Sequence, residues 1–463
     1  MNIKITDSYI FFSYSSNEEK YLIEPFFIFE DKRNVFAGGK FDATKIKKVN
    51  FIKGKKQLKW IPAGFLKDFL LTVKQNNIEV NSLEDERTKL PHHRIDYKTK
   101  DLEKHFPFAY NSHQTSALVK LLKVNRGIIK IPTAGGKGDI LIAFLKETRE
   151  SSLIVVDKVM LSEQLAKRAK ESGLKDVGIL NGKKNDTENK KYIFATIGSL
   201  KKIPSFSTFN MLLIDEVHHA SAKRHQELFE SVSFPVQIGF SATPDKGDDY
   251  LFATIKQHLG DIIYEVPAEE MIENEVIAKP SIIFIENEVR PMIDWPSSYK
   301  ECIINNSERN RMITDIVENH NEKILVLIKD VKNKQGEILK RYIQENTMKN
   351  VEFIQGSTKN REEVLDWFEN GDLDVLISTN ILNEGISLKE IRILINASGG
   401  KSKVENLQKL GRGTRIKDDK KKVLVYDFLD LGNRFTEKHS KERIKIYKKE
   451  GFTDIKIIKP HEI

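Results

Sequence analysis

The sequence predicts an α/β protein in which two parallel-sheet lobes follow one another and a small β-rich α+β module precedes them. Three observations lead to this prediction. From about residue 105, short strands that are apolar on both sides alternate with amphipathic helices, which is typical of a parallel sheet covered on both faces. A second series of the same kind begins after residue 310. The first 60 residues instead alternate apolar and polar side chains, as half-buried strands do.

The N-terminal module is predicted from this alternation and from turn signals at its glycines. Short strands are expected at residues 3–5, 10–14, 21–23 and 49–51. A helix is expected over residues 64–76, because its apolar residues, such as Phe65 and Phe69, share one face. A strand at 78–80 closes the module, and the polar stretch 84–100 is expected to link it to the rest of the chain.

The strands of the two lobes set the expected domain organisation. In the first lobe, strands are predicted at residues 127–131, 153–156, 192–195, 211–214 and 237–240. In the second lobe, they are predicted at residues 324–328, 351–353, 375–378, 393–395 and 423–426. The chain has 463 residues, which at roughly 150 residues per domain allows about three domains. We expect a basic module at 1–100, a first lobe at 101–275, an inter-lobe linker at 276–310 and a second lobe with a basic tail at 311–463.

The charge of the chain favours a polyanionic partner. Lys and Arg number 76 against 67 Asp and Glu, a net charge of +9. Residues 31–60 alone carry ten basic and two acidic side chains. The tail holds a second concentration at Lys417, Lys420, Lys421, Lys422, Lys438, Lys441, Arg443, Lys445, Lys448 and Lys449. A solvated lysine-rich surface would give such runs too, so nucleic acid is favoured only if the middle of the chain agrees.

Cysteine content and hydropathy exclude several protein classes. The single cysteine, Cys302, excludes an internal disulfide and a cysteine-cluster metal site. No apolar run approaches the roughly 18 residues that a membrane span needs. The start of the sequence lacks the pattern of a signal peptide. We therefore expect a cytoplasmic protein without a membrane partner.

A glycine-rich turn follows the first strand of the first lobe. It comprises Pro132, Thr133, Ala134, Gly135, Gly136, Lys137, Gly138 and Asp139, and a helical run follows. In a phosphate-binding loop, small residues let backbone N–H groups converge on phosphate oxygens, and Lys137 would reach the β and γ phosphates. Gly138 stands where such a loop usually carries the Ser or Thr whose hydroxyl binds Mg²⁺. Taken alone, the stretch could equally be an ordinary glycine turn.

Two acidic residues make the nucleotide interpretation stronger. Asp215 and Glu216 follow the strand 211–214 and so lie at the carboxyl edge of a buried sheet, where α/β proteins bind ligands. In a nucleotide site, Asp215 would hold Mg²⁺ through water, and Glu216 would orient and deprotonate the attacking water. Acidic residues also end strands as helix caps. The spacing from Lys137, with strands between, is nevertheless what two edges of one nucleotide pocket require.

Two further motifs complete the set. Ser241, Ala242 and Thr243 follow the strand 237–240, and their hydroxyls could hydrogen-bond the acidic pair and transmit its state. In the second lobe, Arg412 and Arg415 stand three apart on one face of an expected helix. Two guanidinium groups facing a cleft suit the charge that develops on a transferred γ-phosphoryl group.

The ordered motifs resemble those of superfamily 2 helicases and translocases, over about residues 105–430. They are His113-Gln114, PTAGGKG, DEVH, SAT, STNILNEGIS at 378–387 and QKLGRGTR at 408–415. The resemblance implies two RecA-like lobes, ATP and Mg²⁺. It also implies roles for further residues: Gln114 reads the adenine, His218 with Ser241, Ala242 and Thr243 couples the lobes, and Gln408, Arg412, Arg415 and Gly385 complete the site. Thr196 and Thr379 match positions that contact the nucleic-acid backbone.

Finer matches resemble one branch of that superfamily. Residues 258–280 are similar to the lobe-joining region of XPB-like helicases and restriction-enzyme motor subunits, and residues 64–87 and 439–452 resemble phage UvsW-type recombination helicases. The resemblance implies branched or double-stranded DNA as partner, a monomer, and recombination or replication proteins as further candidates. The basic N-terminal module would grip DNA through Lys45, Lys47, Lys48, Lys53, Lys55 and Lys56. Aromatic residues there, such as Phe36, Phe41, Phe51 and Trp60, would either stack on bases or form the core of the module.

Several alternatives stay open at this point. An RNA helicase of the DEAD-box kind and a restriction-type translocase share most of the motifs. Because Gly138 lacks the hydroxyl, either water or Asp139 takes that place at Mg²⁺, or hydrolysis is slow. The same substitution leaves room for a DNA clamp that uses ATP as a switch without hydrolysing it.

Overall fold

The computed structural model describes residues 1–32, 36–37, 40–41, 46–55, 58–106, 112–132, 135–245, 248–274, 276, 279–329, 332, 334–356, 358–379, 391–400, 422–449 and 452–463. These residues fall into two compact units. One comprises Met1–Ile131 with Gly136–Glu265, and the other comprises Val266–Ile463 with Pro132–Gly135. Each unit contains a large, mainly parallel sheet. The predicted fold class is therefore confirmed.

A separate sheet forms the N-terminal part of the first unit. The elements there are β1 (Asn2–Ile5), β2 (Tyr9–Ser13), α1 (Asn17–Ile23), β3 (Ile28–Asp31), β4 (Phe36–Ala37), β5 (Lys40–Phe41), β6 (Lys47–Asn50), β7 (Lys53–Lys55), β8 (Leu58–Pro62), α2 (Leu66–Gln75) and β9 (Ser82–Asp85). Among the described strands, the sheet order is β7-β8-β2-β1-β9, while β3 pairs with β6 and β4 with β5. One face of the sheet packs on α2, with Ile10, Phe12 and Phe69 in a common core.

Two expectations about this part of the chain are wrong. Residues 21–23 lie in a helix and not in a strand, because Ser16 caps α1 by accepting a hydrogen bond from the backbone N–H of Glu19 at 3.3 Å. The strand expected at 78–80 lies at 82–85 as β9, which pairs in parallel with β1. That pairing joins residues about 80 positions apart, so the local pattern does not reveal its register.

The larger sheet of the first unit carries the glycine-rich turn and the acidic pair. The strands of this sheet and the helices of the same part of the chain are α3 (Thr99–Leu102), α4 (Ser112–Leu121), β10 (Arg126–Lys130), α5 (Lys137–Thr148), β11 (Ser152–Val156), α6 (Val159–Glu171), β12 (Val177–Leu180), β13 (Asn185–Asp186), β14 (Tyr192–Thr196), β15 (Met211–Asp215), α7 (Lys223–Ser231), β16 (Val236–Ser241), α8 (Asp249–Leu259) and β17 (Ile262–Glu265). The order of its described strands is β13-β12-β14-β11-β15-β16-β10-β17. All five predicted strands are present, while β12, β13 and β17 were not predicted.

The N-terminal sheet docks on this lobe through α8. Ala253 belongs to the core of the N-terminal sheet, and the rings of Phe51 and Tyr250 lie 6.4 Å apart. The ammonium group of Lys256 lies 2.7 Å from a carboxylate oxygen of Asp68. A Cβ on Gly64 would approach the carbonyl oxygen of Lys256 to 1.8 Å, so only glycine fits there. The module is thus packed against the first lobe by shared apolar and ionic contacts.

The second unit is built on another parallel sheet. Its elements are α9 (Ala268–Glu273), β18 (Lys279–Glu288), α10 (Trp295–Tyr299), α11 (Ser307–Glu318), β19 (Ile324–Leu327), α12 (Gln335–Asn346), β20 (Val351–Ile354), α13 (Arg361–Asn370), β21 (Val375–Ser378), β22 (Ile393–Asn396), β23 (Lys422–Leu431), α14 (Arg434–Lys449) and β24 (Ile455–Ile458). The described strands follow the order β20-β21-β19-β22-β23-β18-β24. The five predicted strands are again present.

The expected linker and the expected basic tail each contribute a strand to the second sheet. Residues 276–310, the expected linker, contain β18, which pairs in parallel with β23 over its whole length. The expected basic tail contains α14 and β24, and β24 pairs with β18. The partner of β18 lies more than 140 residues further along the chain, so the local sequence does not show the pairing. In the tail, the many lysines concealed buried residues such as Tyr447. No helix that the structure describes is both long and apolar enough to cross a membrane.

Candidate active site

Lys137 and Glu216 lie together at the carboxyl edge of the first large sheet. Lys137 is the first residue of α5, and Glu216 directly follows β15. Their side chains are 11% and 16% exposed, and the lysine Nζ lies 3.9 Å from a Glu216 carboxylate oxygen. Lys137 also donates a hydrogen bond to the carbonyl oxygen of Ile131 at 3.3 Å. The structure thus brings the turn and the acidic pair to one site.

The backbone of Glu216 is in the left-handed region, with φ 50° and ψ 52°. For a residue with a side chain, this conformation costs on the order of 1–3 kcal/mol and is concentrated at functional sites. Burial, together with the negative charge of Glu216, raises the pKa of Asp215 to about 7. Although burial opposes it, the positive charge of Lys137 and the neighbouring His218 lower the pKa of Glu216 to about 2. The two neighbouring carboxyl groups therefore differ in pKa, with that of Asp215 raised and that of Glu216 lowered.

His218 links the acidic pair to the end of the neighbouring strand β16. Its Nδ1 lies 3.1 Å from the hydroxyl of Ser241 and 3.2 Å from a carboxylate oxygen of Glu216. The Ser241 hydroxyl also accepts a hydrogen bond from the backbone N–H of Thr243 at 3.1 Å. Ala242 lies between the two hydroxyl residues. A contact at Glu216 is thus connected to the segment that leaves β16.

Gln114 lies against the glycine-rich turn. Its side chain is 4% exposed, and its Nε2 donates a hydrogen bond to the carbonyl oxygen of Gly136 at 3.2 Å. Gly136 has φ +81°, and a Cβ there would come within 1.9 Å of the same Nε2. The amide oxygen of Gln114 is buried and makes no hydrogen bond within the described part of the chain. It is therefore available to accept one from a ligand.

Gly138 and Asp139 occupy the first turn of α5. A Cβ on Gly138 would lie 2.9 Å from Nη1 of Arg168 and 3.1 Å from a methyl group of Leu165. The Arg168 guanidinium, which comes from α6, forms an ion pair with Asp139. About half of each of these two side chains is exposed. Asp139, the expected substitute at Mg²⁺, is thus engaged by Arg168.

Sequence reasoning missed an acidic residue at the same edge of the sheet. Asp157 follows β11, the strand next to β15. Its carboxylate oxygens lie 3.2 Å from Nε2 of His219 and 3.9 Å from Nε2 of His225. The signal was present, because Asp157 directly follows a predicted apolar strand, as Asp215 does.

The candidates in the glycine-rich turn and in the second lobe are only partly described. Thr133, Ala134, Gly385, Gln408, Arg412 and Arg415 lie outside the described residues. The carbonyl oxygen of Pro132 accepts a hydrogen bond from the backbone N–H of Gly135 at 3.1 Å. Thr379 follows β21 and is 4% exposed. Among the described residues, its hydroxyl has no hydrogen-bond partner.

The expected nucleic-acid residues differ in their exposure. Thr196 ends β14 and is 7% exposed, with its hydroxyl 3.0 Å from that of Ser199. Lys47, Lys48, Lys53 and Lys55 are exposed, while Lys45 and Lys56 lie outside the described residues. Phe51 is 6% exposed and belongs to the core of the module, so it does not stack on bases. The structure describes the backbone of Phe36 and Phe41 but not their side chains.

Arg443 contradicts its assignment to a basic surface. The guanidinium is fully buried and bonds Asp427 through Nε at 3.0 Å and Nη2 at 2.8 Å. Its Nη1 donates to the carbonyl oxygen of Gly400 at 3.0 Å. Arg309, buried likewise, pairs with Asp430 and donates to the carbonyl oxygen of Ala397. These two arginines hold the segment that directly precedes residues 401–421, which carry Gln408, Arg412 and Arg415.

Two family models match the chain. Residues 107–246 match "Type III restriction enzyme, res subunit" and residues 308–417 match "Helicase conserved C-terminal domain". The chain is a superfamily 2 helicase. Members of this superfamily are ATP-dependent enzymes, so ATP use follows from membership.

Several named relatives are similar to this helicase. It is 23% identical over 366 residues to "DNA 3'-5' translocase XPB2" of Sulfurisphaera tokodaii, covering 69% of the chain and 81% of the relative. It is 25% identical to "Putative ATP-dependent RNA helicase L396" of Acanthamoeba polyphaga mimivirus, covering 70% of the chain and 64% of the relative. It resembles "ATP-dependent DNA helicase uvsW" of Enterobacteria phage T4 at 25% identity, covering 69% and 68%.

Two of the solved structures that match this chain share its fold. The fragment of a putative HsdR subunit of a type I restriction enzyme from Vibrio vulnificus YJ016 has a TM-score of 0.59 and 15% identity, covering 94% of this helicase and 92% of that chain. Yeast Dbp5 bound to RNA and ADP BeF3 has a TM-score of 0.56 and 15% identity, covering 80% and 96%. These likenesses support two tandem RecA-like lobes.

Proposed function

We propose that this helicase uses ATP to unwind or branch-migrate forked, D-loop or four-way-junction DNA in recombination, repair or replication-fork processing. The observation that carries the catalytic part is the meeting of Lys137 with Glu216, beside Asp215, at one edge of the first large sheet. The choice of DNA is supported by relatives that are named a DNA translocase and a DNA helicase. The exposed lysines of the N-terminal module support it further.

The first lobe would bind the nucleotide. Gln114 would accept a hydrogen bond from the adenine through its buried amide oxygen. Lys137 and the backbone of residues 132–138 would hold the β and γ phosphates. Glu216 would orient the attacking water and take its proton, because Lys137 and His218 keep it ionised in the resting site.

Mg²⁺ fits this site with Asp215 as its protein partner. Among the described residues, no group of three or more His, Cys, Asp or Glu side chains is arranged to hold a metal ion. Nucleotide-bound Mg²⁺ needs one or two carboxylates, because phosphate oxygens and waters complete its octahedron. When bound, the ion would neutralise charge on the transferred phosphoryl group. Asp215 would hold it, and water would take the place of the hydroxyl that Gly138 lacks.

Arg412, Arg415 and Gln408 would complete the site from the second lobe, with Gly385 near them. The signal would pass through His218, Ser241 and Thr243. Alternate closing and opening of the lobes would move them along the phosphates of one strand. Contacts from Thr196 and Thr379 to the backbone rather than to bases would make this movement independent of sequence.

Each part of the chain would have its own role: the module at 1–100, the first lobe at 101–275 and the second lobe at 311–463, to whose sheet residues 276–310 contribute β18. The module would grip duplex or junction DNA through exposed lysines such as Lys47 and Lys48. We propose a monomer, with recombination or replication proteins as candidate partners.

A substrate panel tests the proposal. ATP turnover and strand separation are measured with fork, D-loop, four-way-junction and plain duplex DNA of matched sequence, and with an RNA fork. Branched DNA is expected to stimulate turnover more than plain duplex or RNA. The match to a protein named an RNA helicase makes RNA the second candidate. Stimulation by RNA alone would replace DNA with RNA as the substrate.

A further inference from the structure

The outer face of the N-terminal sheet carries a row of aromatic side chains. On β2, β8 and β1, residues such as Ile10, Ile61 and Ile3 are buried in the core of the module. The alternate residues point to the opposite face, because successive side chains of a strand alternate. On that face, Tyr9 is 41% exposed, and the side chains of Phe11 and Trp60 are half-buried.

Strand register places these rings side by side. Phe11 on β2 lies opposite Trp60 on β8, and Trp60 lies opposite Lys53 on β7. The ring centroids of Tyr9 and Phe11 lie 6.1 Å apart along β2. The Cβ atoms of directly paired residues on neighbouring antiparallel strands are about 5 Å apart. The three rings therefore lie on the same face of the sheet.

A groove runs over this face. Its volume is about 500 Å³, and Asn2, Phe11, Ser13 and Leu58 line it. Leu58 is 57% exposed. The floor thus combines an aromatic ring and an aliphatic side chain with small polar groups that can donate or accept hydrogen bonds.

The two edges of the face differ in charge. On β7, Lys53 and Lys55 are exposed and directly oppose Trp60 and Leu58. On the other edge, Glu84 lines the groove, and the ammonium group of Lys4 is paired with Glu86 at 2.7 Å. A bound polyanion would therefore place its phosphates along β7 and its bases over the rings.

We infer that this face, which we call the aromatic platform (Tyr9, Phe11, Leu58, Trp60, Lys53 and Lys55), binds single-stranded DNA. It would do so by stacking bases on its rings and pairing phosphates with its lysines. The inference rests on the proposed function, in which branched DNA supplies a single strand beside the duplex. It assigns that strand to a surface outside the two lobes. Binding by stacking would tolerate any DNA sequence, because every base has a flat aromatic face.

Cross-linking of the full chain tests where the strand lies. The probe is a 15-nucleotide oligothymidylate that carries 5-iododeoxyuridine, irradiated with the wild-type protein and mapped by mass spectrometry. Adducts at Tyr9, Phe11 or Trp60 are expected. Adducts confined to residues of the two lobes would overturn the inference.

Affinity measurements with the same oligothymidylate, labelled with fluorescein, provide the second test. Phe11→Ala and Trp60→Ala are each expected to raise Kd at least about fivefold, since stacking contributes about 1 kcal/mol or more per base. Trp60→Phe keeps a ring and should restore binding. Tyr21→Ala, which removes a 77% exposed ring from α1 of the same module, is the matched control and should leave Kd unchanged. Equal Kd values in all five proteins would contradict the platform.

Salt dependence separates the lysines from the rings. Lys53→Gln with Lys55→Gln is expected to reduce the slope of log K against log salt by about 1.4, because each phosphate contact contributes about 0.7 on a single strand. Lys74→Gln on α2 is the control, since this lysine is exposed on another surface. An unchanged slope in the double variant would count against the assigned phosphate path.

The same samples distinguish failure of this inference from failure of the proposed function. If the wild-type protein remodels forks but cross-links only through its lobes, the platform is wrong and the function stands. If it cross-links through Phe11 or Trp60 but remodels no branched DNA, the platform stands and the function is wrong.

Discussion

The Nε2 of Gln114 donates to the carbonyl oxygen of Gly136 at 3.2 Å, and a Cβ on Gly136 would come within 1.9 Å of that nitrogen. The glutamine and the glycine-rich turn are therefore fitted to each other. Gly136 satisfies two demands at once, since its φ of +81° also favours glycine. This contact joins the expected adenine-reading residue to the turn that is proposed to bind the phosphates.

Gly136→Ala is expected to weaken ATP binding strongly. The added methyl group must displace the Gln114 amide, so we expect the KM for ATP to rise at least about tenfold, or about 1.4 kcal/mol. Steady-state ATPase assays measure this change. Gly173→Ala is the matched control, because Gly173 has φ +93° with nothing within 4 Å of its added Cβ. The control should lower stability by about 1 kcal/mol and leave KM unchanged; equal KM values in both variants would argue against the contact.

Gly138→Thr tests how Mg²⁺ is held. The substitution adds the missing hydroxyl, and the nearest obstacle is the flexible end of Arg168, 2.9 Å from the new Cβ. We expect the Mg²⁺ concentration for half-maximal ATPase activity to fall several-fold. Titration of Mg²⁺ at saturating ATP measures it. An unchanged midpoint would mean that position 138 lies away from the ion, and turnover found only in the variant would favour the ATP-switched clamp.

Removing the Arg443 guanidinium is expected to destabilise the second unit. Arg443→Gln leaves the buried Asp427 carboxylate without its cationic partner, which typically costs about 3–5 kcal/mol. Urea denaturation measures the loss. Lys441→Gln on the same helix removes an exposed pair with Glu437 and should cost less than about 1 kcal/mol. Similar losses for the two variants would show that the buried network contributes little.

Stability should fall as the pH is lowered from 7.5 to 5.5. Burial, with the nearby charge of Arg126, lowers the pKa of His258 to about 3, and the ordinary value is 6.5. Between these values the unfolded chain binds a proton that the folded chain does not, so acid favours unfolding. One such histidine gives about 1.4 kcal/mol over this interval. In urea titrations at both pH values, His258→Gln should remove that part of the dependence; an equally steep dependence in the variant would assign it to other groups.

The sequence revealed the elements that local pattern controls. All ten predicted strands of the two lobes formed, because runs such as 153–156 are apolar throughout and bounded by helices. Proximity of Lys137 to Glu216 also followed from their place at the ends of parallel strands. What local pattern could not show was pairing over long distances. β9 pairs with β1, and β18 pairs with β23 more than 140 residues away, so 276–310 looked like a linker.

Charged residues were the other source of error. In the sequence, Arg443 is one of many basic residues in a lysine-rich tail. Its burial becomes evident only in the structure, where it pairs with the buried Asp427 on β23. Tyr9 and Phe11 were overlooked for the opposite reason, since aromatic residues beside buried ones suggest a core. Their exposure depends on which face of the sheet α2 covers.

The proposed activity requires ATP-driven remodelling of DNA that depends on Lys137. Separation of a forked DNA is to be followed in single-turnover reactions with wild-type protein and with Lys137→Ala, with and without ATP. The wild type should separate the strands only with ATP, while the variant should be at least about 100-fold slower and bind the fork with an affinity within a few-fold of wild type. Equal rates in the two proteins, or no ATP-dependent separation by the wild type, would contradict the proposed helicase activity.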